Sequence, residues 1–185
     1  MDRRQQKTRD SIFKAVGELL EHKRFEKITV QEIIDKANIG RSTFYAHFET
    51  KDALLEAMCT DIFDHIFSKD LMECELHEHT QSAPLHSKIE ERLIHILYHL
   101  KESKHSISAI LSGESRELFL RYLKEHLKLL FSMHLFEFQS DVPEYFLLNF
   151  IVGSFSSTIE WWIKDEMILS PEQTAEYFMK VTAKA

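Results

Sequence analysis

The sequence predicts an all-α chain, on three observations. Apolar residues recur at spacings of three and four in nearly every segment, the period of one face of a helix. The 185 residues include only four Gly and three Pro, too little turn punctuation for an all-β fold. Hydrophobic residues make up 44% of the chain, enough to fill a core without membrane-like runs.

From about Arg4 to His22, Ile12, Phe13, Val16, Leu19 and Leu20 form one apolar stripe. Thr29 then opens a second helix, and Glu32 stands three residues later, the spacing at which each side chain takes the other's backbone N–H. Val30, Ile33, Ile34 and Ala37 supply its inward face. Asn38 sits where that helix must stop, and Asn tolerates the left-handed conformation better than most residues. Gly40 begins a short third helix reaching about Phe48. Thr50 caps a fourth, continuing through Leu54, Leu55, Met58, Ile62 and Ile66.

Between Ser68 and Ser87 the period dissolves, and a loop or frayed end is expected. Helical spacing returns at Ile89, Leu93, Leu97 and Leu100, then in a short piece near Ile107 to Leu111. A strong stripe follows at Phe119, Tyr122, Leu123, Leu127 and Leu130. Asp141 and Pro143 mark the next start, and that helix is apolar nearly all round from Tyr145 to Phe155. Such a helix needs cover on two sides. Ser170-Pro171-Glu172-Gln173 opens the last helix, lined by Ala175, Phe178, Met179 and Thr182.

Several function classes drop out. No run approaches 18 apolar residues, so no membrane span is expected, and the N-terminus is amphipathic where a signal peptide would be uniformly apolar. Cys59 and Cys74 make no disulfide framework, and a reduced, cytoplasmic setting is the expectation. No phosphate-binding loop, dinucleotide glycine fingerprint, nucleophile elbow or H-E-x-x-H is present, and Cys59 and His65 are wrongly spaced to share a helical face. Neither an enzyme nor a cofactor is expected. Cys74, His77 and His79 form C-x2-H-x-H, while His95 and His99 lie one turn apart, yet nothing completes a metal site and none is expected.

Charge is divided unevenly. Residues 1–51 carry 11 Lys+Arg against 8 Asp+Glu, a net +3, whereas the remainder carries 12 against 22, a net −10. That asymmetry suggests a basic interaction module on an acidic body.

The two helices meeting at Asn38-Ile39-Gly40, the second short and polar-faced, have the helix-turn-helix arrangement. With Phe44 and Phe48 packed inward, 100° per residue points Ser42 and Ala46 outward, flanked by Thr43 and Tyr45. Arg41 lies in the first turn, the end such helices insert into the major groove, where its fork matches guanine O6 and N7. Ser and Thr can contact either strand, and Tyr45, His47 and Lys51 suit phosphate contacts. Arg3, Arg4, Lys7 and Arg9 add backbone contacts or form a solvated arm.

The string TVQEIIDKANIGRSTFYAHFETKDALL resembles the N-terminal DNA-binding domain of TetR/AcrR-type transcriptional regulators. Thr29, Ile33, Ala37, Ile39, Thr43, Tyr45, Phe48, Lys51, Leu54 and Leu55 carry the match, with Phe13, Leu19, Leu20 and Phe25 in register before it. Asn38 replaces the usual turn glycine, and Gly40 stands where a Ser cap is common. The resemblance implies that Gln31, Arg41, Ser42 and Thr43 face bases and that Thr29, Tyr45, His47 and Lys51 meet phosphates. It implies a helix-turn-helix DNA-binding domain over residues 1–50 and a helical effector-binding and dimerisation domain over 51–185. It further implies a homodimer, formed by the last two helices, on a palindromic operator. The reading is therefore a ligand-responsive repressor; the alternative is an adaptor or coactivator whose C-terminal domain binds a partner protein. Phe155, Trp162 and Phe178 are candidate interface residues, aided by the small Gly153, Ser154, Ser156 and Ser157. Phe119, Tyr122, Phe131, Phe136, Phe138, Phe146 and Phe150 form either an aromatic interior for a small apolar effector or plain core.

Overall fold

A computed structural model describes residues 3–67, 88–138 and 141–182. Its elements are α1 (Arg3–Leu20), a 3-10 turn (Phe25–Lys27), α2 (Val30–Ala37), α3 (Arg41–His47), α4 (Lys51–Ile66) and α5 (Lys88–Glu102). After these come α6 (Lys104–Leu111), α7 (Arg116–Met133), a second 3-10 turn (Leu135–Glu137), α8 (Glu144–Lys164) and α9 (Pro171–Thr182). The fold is all-α. None of the described helices is long and apolar enough to cross a membrane. The expected loop from Ser68 to Ser87, with Cys74, His77 and His79, lies outside the described residues.

The chain divides into two compact units, residues 1–62 with 105–119, and residues 63–104 with 120–185. The first unit thus takes in more than residues 1–50. Periodicity marks each helix but not which helices gather round one core.

In the first unit α1 buries Ile12, Ala15, Val16 and Leu20, and Ser11 Oγ donates to the Ala37 carbonyl at 3.1 Å, tying α1 to the end of α2. The Thr29 side chain accepts from Glu32 N at 3.2 Å, while Thr29 N donates to the Glu32 carboxylate at 2.9 Å. Lys23 also pairs with Glu32. That ammonium first, then the Thr29 N–H and hydroxyl, hold the Glu32 carboxyl down at about 2. At the far end Asn38 adopts φ 52, ψ 52, and Ile39 N reaches back to the Ile34 carbonyl at 3.1 Å, closing α2 as a left-handed cap does.

The 3-10 turn is held from two sides. Lys51 Nζ donates to the carbonyls of Phe25, Glu26 and Ile28 at 3.0, 3.1 and 3.0 Å and lies 4.8 Å from the Phe25 ring centroid. The Glu26 carboxylate accepts from the Ser115 N–H and hydroxyl, both at 2.9 Å, at the N-terminal end of α7. An added Cβ on Gly113 would collide with those carboxylate oxygens, so glycine is what allows the approach. Burial works to raise the Glu26 pKa. The Ser115 N–H, the residue's own N–H, the Ser115 hydroxyl and the Lys51 charge outweigh it and hold the carboxyl below its usual 4.5.

In the second unit α5 packs along α9, and the Tyr98 hydroxyl donates to Glu172. α8 turns Leu147, Ile151, Phe155, Ile159 and Trp162 inward. This corrects the interface expected from sequence. Phe155 and Trp162 are fully buried and Phe178 is 6% exposed, all within their own chain. Phe155 meets Phe178 edge-on at 4.7 Å, and Trp162 Nε1 donates to the Leu169 carbonyl at 2.8 Å. A helix apolar all round gives no sequence signal for which face turns inward. Within this chain α8 is covered on one side only, and Tyr145, Phe146, Phe150 and Trp161 stay exposed on the other.

The aromatic interior also fails to form as one set. Phe131 and Phe138 are buried against one another at 5.6 Å, and Phe119 is buried in the first unit. Tyr122 is half-buried, whereas Phe136, Phe146 and Phe150 are exposed on the surface. His95 and His99 are buried with ring centroids 4.5 Å apart, and His65 lies 5.1 Å from His99. Among the described residues no group of three or more His, Cys, Asp or Glu is placed to hold a metal ion.

Candidate nucleic-acid interface

α3 is seven residues long and is anchored by two side chains. Phe44 is fully buried, and Phe48, its C-cap residue, is 5% exposed with its ring stacked on Phe13 at 6.0 Å. From those anchors the helical turn leaves Arg41, Ser42, Tyr45 and Ala46 exposed, with Thr43 and His47 half-buried. Tyr45 lies edge-on to Phe44 at 5.4 Å, which fixes its ring while 46% of the residue remains exposed. Gly40 starts the helix without a side-chain cap.

Across a shallow open groove of about 320 Å³, Arg4, Gln5 and Thr8 of α1 face Ser42, Thr43, Ala46 and His47 of α3. The structure therefore separates the N-terminal cations that the sequence left undivided. Arg4 lines the groove. Arg9 turns inward, bonding Asp61 at 2.9 Å and the Ala57 carbonyl at 3.3 Å, with its guanidinium 4.7 Å from the Phe13 ring centroid. Gln5 and Thr8 were missed by sequence reasoning. The available signal was the α1 period itself, which puts Arg4 and Thr8 one turn apart on a common face.

On α2, Thr29 is exposed, but its hydroxyl is engaged in the cap, donating to Glu32 at 2.9 Å. Gln31 accepts from Arg41 Nη2 at 2.7 Å and donates to Asp35 at 2.8 Å. Lys51 requires a correction. An ammonium has three N–H donors, and all three are directed at carbonyls of its own chain. It locks the approach to α2 in place of meeting a phosphate.

Two family models match the chain. One, "Bacterial regulatory proteins, tetR family", covers residues 12–58. The other, a TetR "Transcriptional regulator C-terminal region", covers residues 87–184, more than half of the chain. The chain belongs to the TetR family.

A TetR transcriptional regulator from Streptococcus agalactiae is similar along the whole length, at 33% identity and a TM-score of 0.76, covering 99% of this chain and 97% of that one. The dihydroxyacetone kinase operon activator DhaS shares the fold at a TM-score of 0.70 and 18% identity, covering 94% and 93%. The uncharacterized HTH-type transcriptional regulator YxbF of Bacillus subtilis is 39% identical over 71 residues, 36% of this chain and 19% of that protein. The chain thus matches only about a fifth of that curated relative's length.

For a TetR-family regulator, the exposed polar face of α3 belongs to its N-terminal DNA-binding domain, and its work is regulation of transcription, not catalysis. Cys59 fits that reading. Burial first, and the nearby Glu56 charge second, push its thiol up to about 12, so it stays protonated and a poor nucleophile.

Proposed function

We propose that this TetR-family chain acts as a homodimer that reads a palindromic operator through α3, represses transcription there, and is released by a small effector. The observation carrying the DNA reading is that α3 holds Arg41, Ser42, Tyr45 and Ala46 outward on two buried phenylalanines. Hydrogen-bonding groups displayed on a helix this short suit base edges and phosphates. Ser42 and Thr43 reach bases beside Arg41, while Tyr45, His47 and Arg4 flank them as backbone contacts.

Dimerisation is supported by the outward face of α8. Phe146, Phe150 and Trp161 are exposed along it, with Gly153, Ser154 and Ser157 between them, and α9 adds the exposed Tyr177 and Val181. Large apolar residues flanking small ones allow another helix to approach closely, and a second copy of this face is self-complementary under a twofold axis. A dimer sets two copies of α3 about one DNA turn apart, ~34 Å, which a single short helix needs in order to read a long site. Repression follows where the seated dimer blocks polymerase.

Effector response is supported by a half-open cavity of about 190 Å³ lined by Asp64, Phe67, Arg92, His126, Leu129, Leu130 and Met133. That volume is below the roughly 300–1,000 Å³ of drug-sized sites, so a compact molecule with both polar and apolar parts fits best.

Selection of bound sites from random duplex DNA tests the proposal. The expected product is a palindrome with half-site centres about 10 base pairs apart or a multiple of that. Recovery of unrelated sequences, or of an asymmetric single half-site, would overturn it.

A further inference from the structure

We infer that Gln31 acts on DNA through Arg41, and that Asp35 is a specificity-determining positioning residue. The inference rests on the reading of Arg41 as a base contact. Arg41 Nη2 donates to Gln31 Oε1 at 2.7 Å, and Gln31 Nε2 donates to Asp35 Oδ1 at 2.8 Å. All three side chains are exposed on the same side of the helix-turn-helix.

The direction of this relay is dictated by chemistry. A guanidinium only donates, so Gln31 must turn its carbonyl oxygen to Arg41. That leaves its amide NH2 facing Asp35, one helical turn along α2, and an ionised carboxylate only accepts. The acid therefore selects the one amide orientation that restrains the arginine. Without it, the Gln31 amide can rotate about its last bond and the restraint is lost.

The same geometry preserves the reading edge. A guanidinium has two edges with paired donors, and each uses one of the two Nη2 hydrogens. Whichever of these Gln31 takes, the other edge keeps both of its donors. That intact edge matches the O6 and N7 acceptors of guanine. One contact thus orients the guanidinium plane before DNA arrives and leaves a complete two-donor fork. One lone pair and one N–H of the Gln31 amide are meanwhile committed to Arg41 and Asp35, so its part in this arrangement is to orient the arginine, where the family resemblance implied a direct base contact.

Asp35 also places a negative charge on a surface meant for a polyanion. Removing that charge should raise affinity for every duplex, whatever its sequence. Asp35→Asn and Asp35→Ala separate the two effects, because both remove the charge and only the first keeps an acceptor oxygen.

The experiment uses the full chain and a fluorescent duplex carrying the site selected by the wild-type protein, with a series substituted at each base pair. Asp35→Ala should lower preference at the Arg41 position by roughly 3- to 10-fold while raising overall affinity. Asp35→Asn should raise overall affinity alike but retain the preference. Gln31→Ala should reproduce the Asp35→Ala loss at that same position, and Asp35→Ala should add nothing in its background.

Equal loss of preference in Asp35→Asn and Asp35→Ala would overturn the relay, since charge alone would account for it. Loss at a different base position in Gln31→Ala would overturn it too, by making Gln31 a direct reader. If Arg41→Ala leaves every preference unchanged, the underlying reading of Arg41 fails, and that outcome is distinct from both of these.

Discussion

The outward faces of α3 and α8 are both exposed, yet they are chemically opposite. α3 shows Arg41, Ser42, Tyr45 and the small Ala46, whereas α8 shows Tyr145, Phe146, Phe150 and Trp161. Water solvates the first face well and the second poorly, so the two call for different covers. A hydrated polyanion replaces water on α3 by offering acceptors and charge. On α8 only another apolar surface gains by excluding water. Exposure alone says that a face lacks a partner; its chemistry says which kind.

Breaking the α8 face should have the largest effect. Phe150→Glu sets a charge in the middle of the apolar stripe and should yield a monomer in sedimentation at micromolar concentration. Operator affinity should fall by on the order of 100-fold or more, because two linked half-site contacts become independent. A Phe150→Glu protein that remains dimeric would move the interface off this face.

Breaking the α3 face should have a smaller and more local effect. Arg41→Ala should cost about 1–3 kcal/mol and relax preference at one base pair per half-site. A uniform loss across all sequences in the same binding series would instead make Arg41 a phosphate contact.

Lys51 sharpens the contrast, because it lies beside the polar face without belonging to it. Lys51→Ala removes the donor to three carbonyls and should lower stability by about 1–3 kcal/mol in thermal unfolding, with base preference intact. Unchanged melting combined with a salt dependence flattened by roughly one unit would restore the phosphate role.

The smallest effect concerns Glu26. Its carboxyl is depressed in the folded state, so its contribution is complete above pH 4.5 and is lost as pH falls below that value. Melting of wild type and Glu26→Gln should differ by about 0.3–1 kcal/mol near neutrality and converge in acid. A difference that persists unchanged at low pH would remove the charged contact with the α7 terminus as its source.

Much of the DNA-facing region was legible because its signals are local. The Thr29 and Glu32 cap, the left-handed Asn38 and the burial of Phe44 and Phe48 each follow from residues within one or two turns. The roles of Lys51 and Arg9 were not legible. Both are cations near a basic helix-turn-helix, and only distant partners show that Lys51 bonds the 3-10 turn and Arg9 bonds Asp61. Asp35 escaped notice for the complementary reason. An acid beside DNA looks unhelpful until its link to Gln31 and Arg41 is seen.

The sequence by itself determined the helices, the corner between α2 and α3, and the polar face of the second. Helical period, capping and left-handed tolerance act over a few residues, and a one-dimensional string records them. Only the tertiary structure decided which side of α8 turned inward, taking Phe155 and Trp162 into the core and leaving Phe150 and Trp161 outside. Hydrophobicity has no direction of its own, so a helix apolar all round takes its inside and outside from the helices that pack against it.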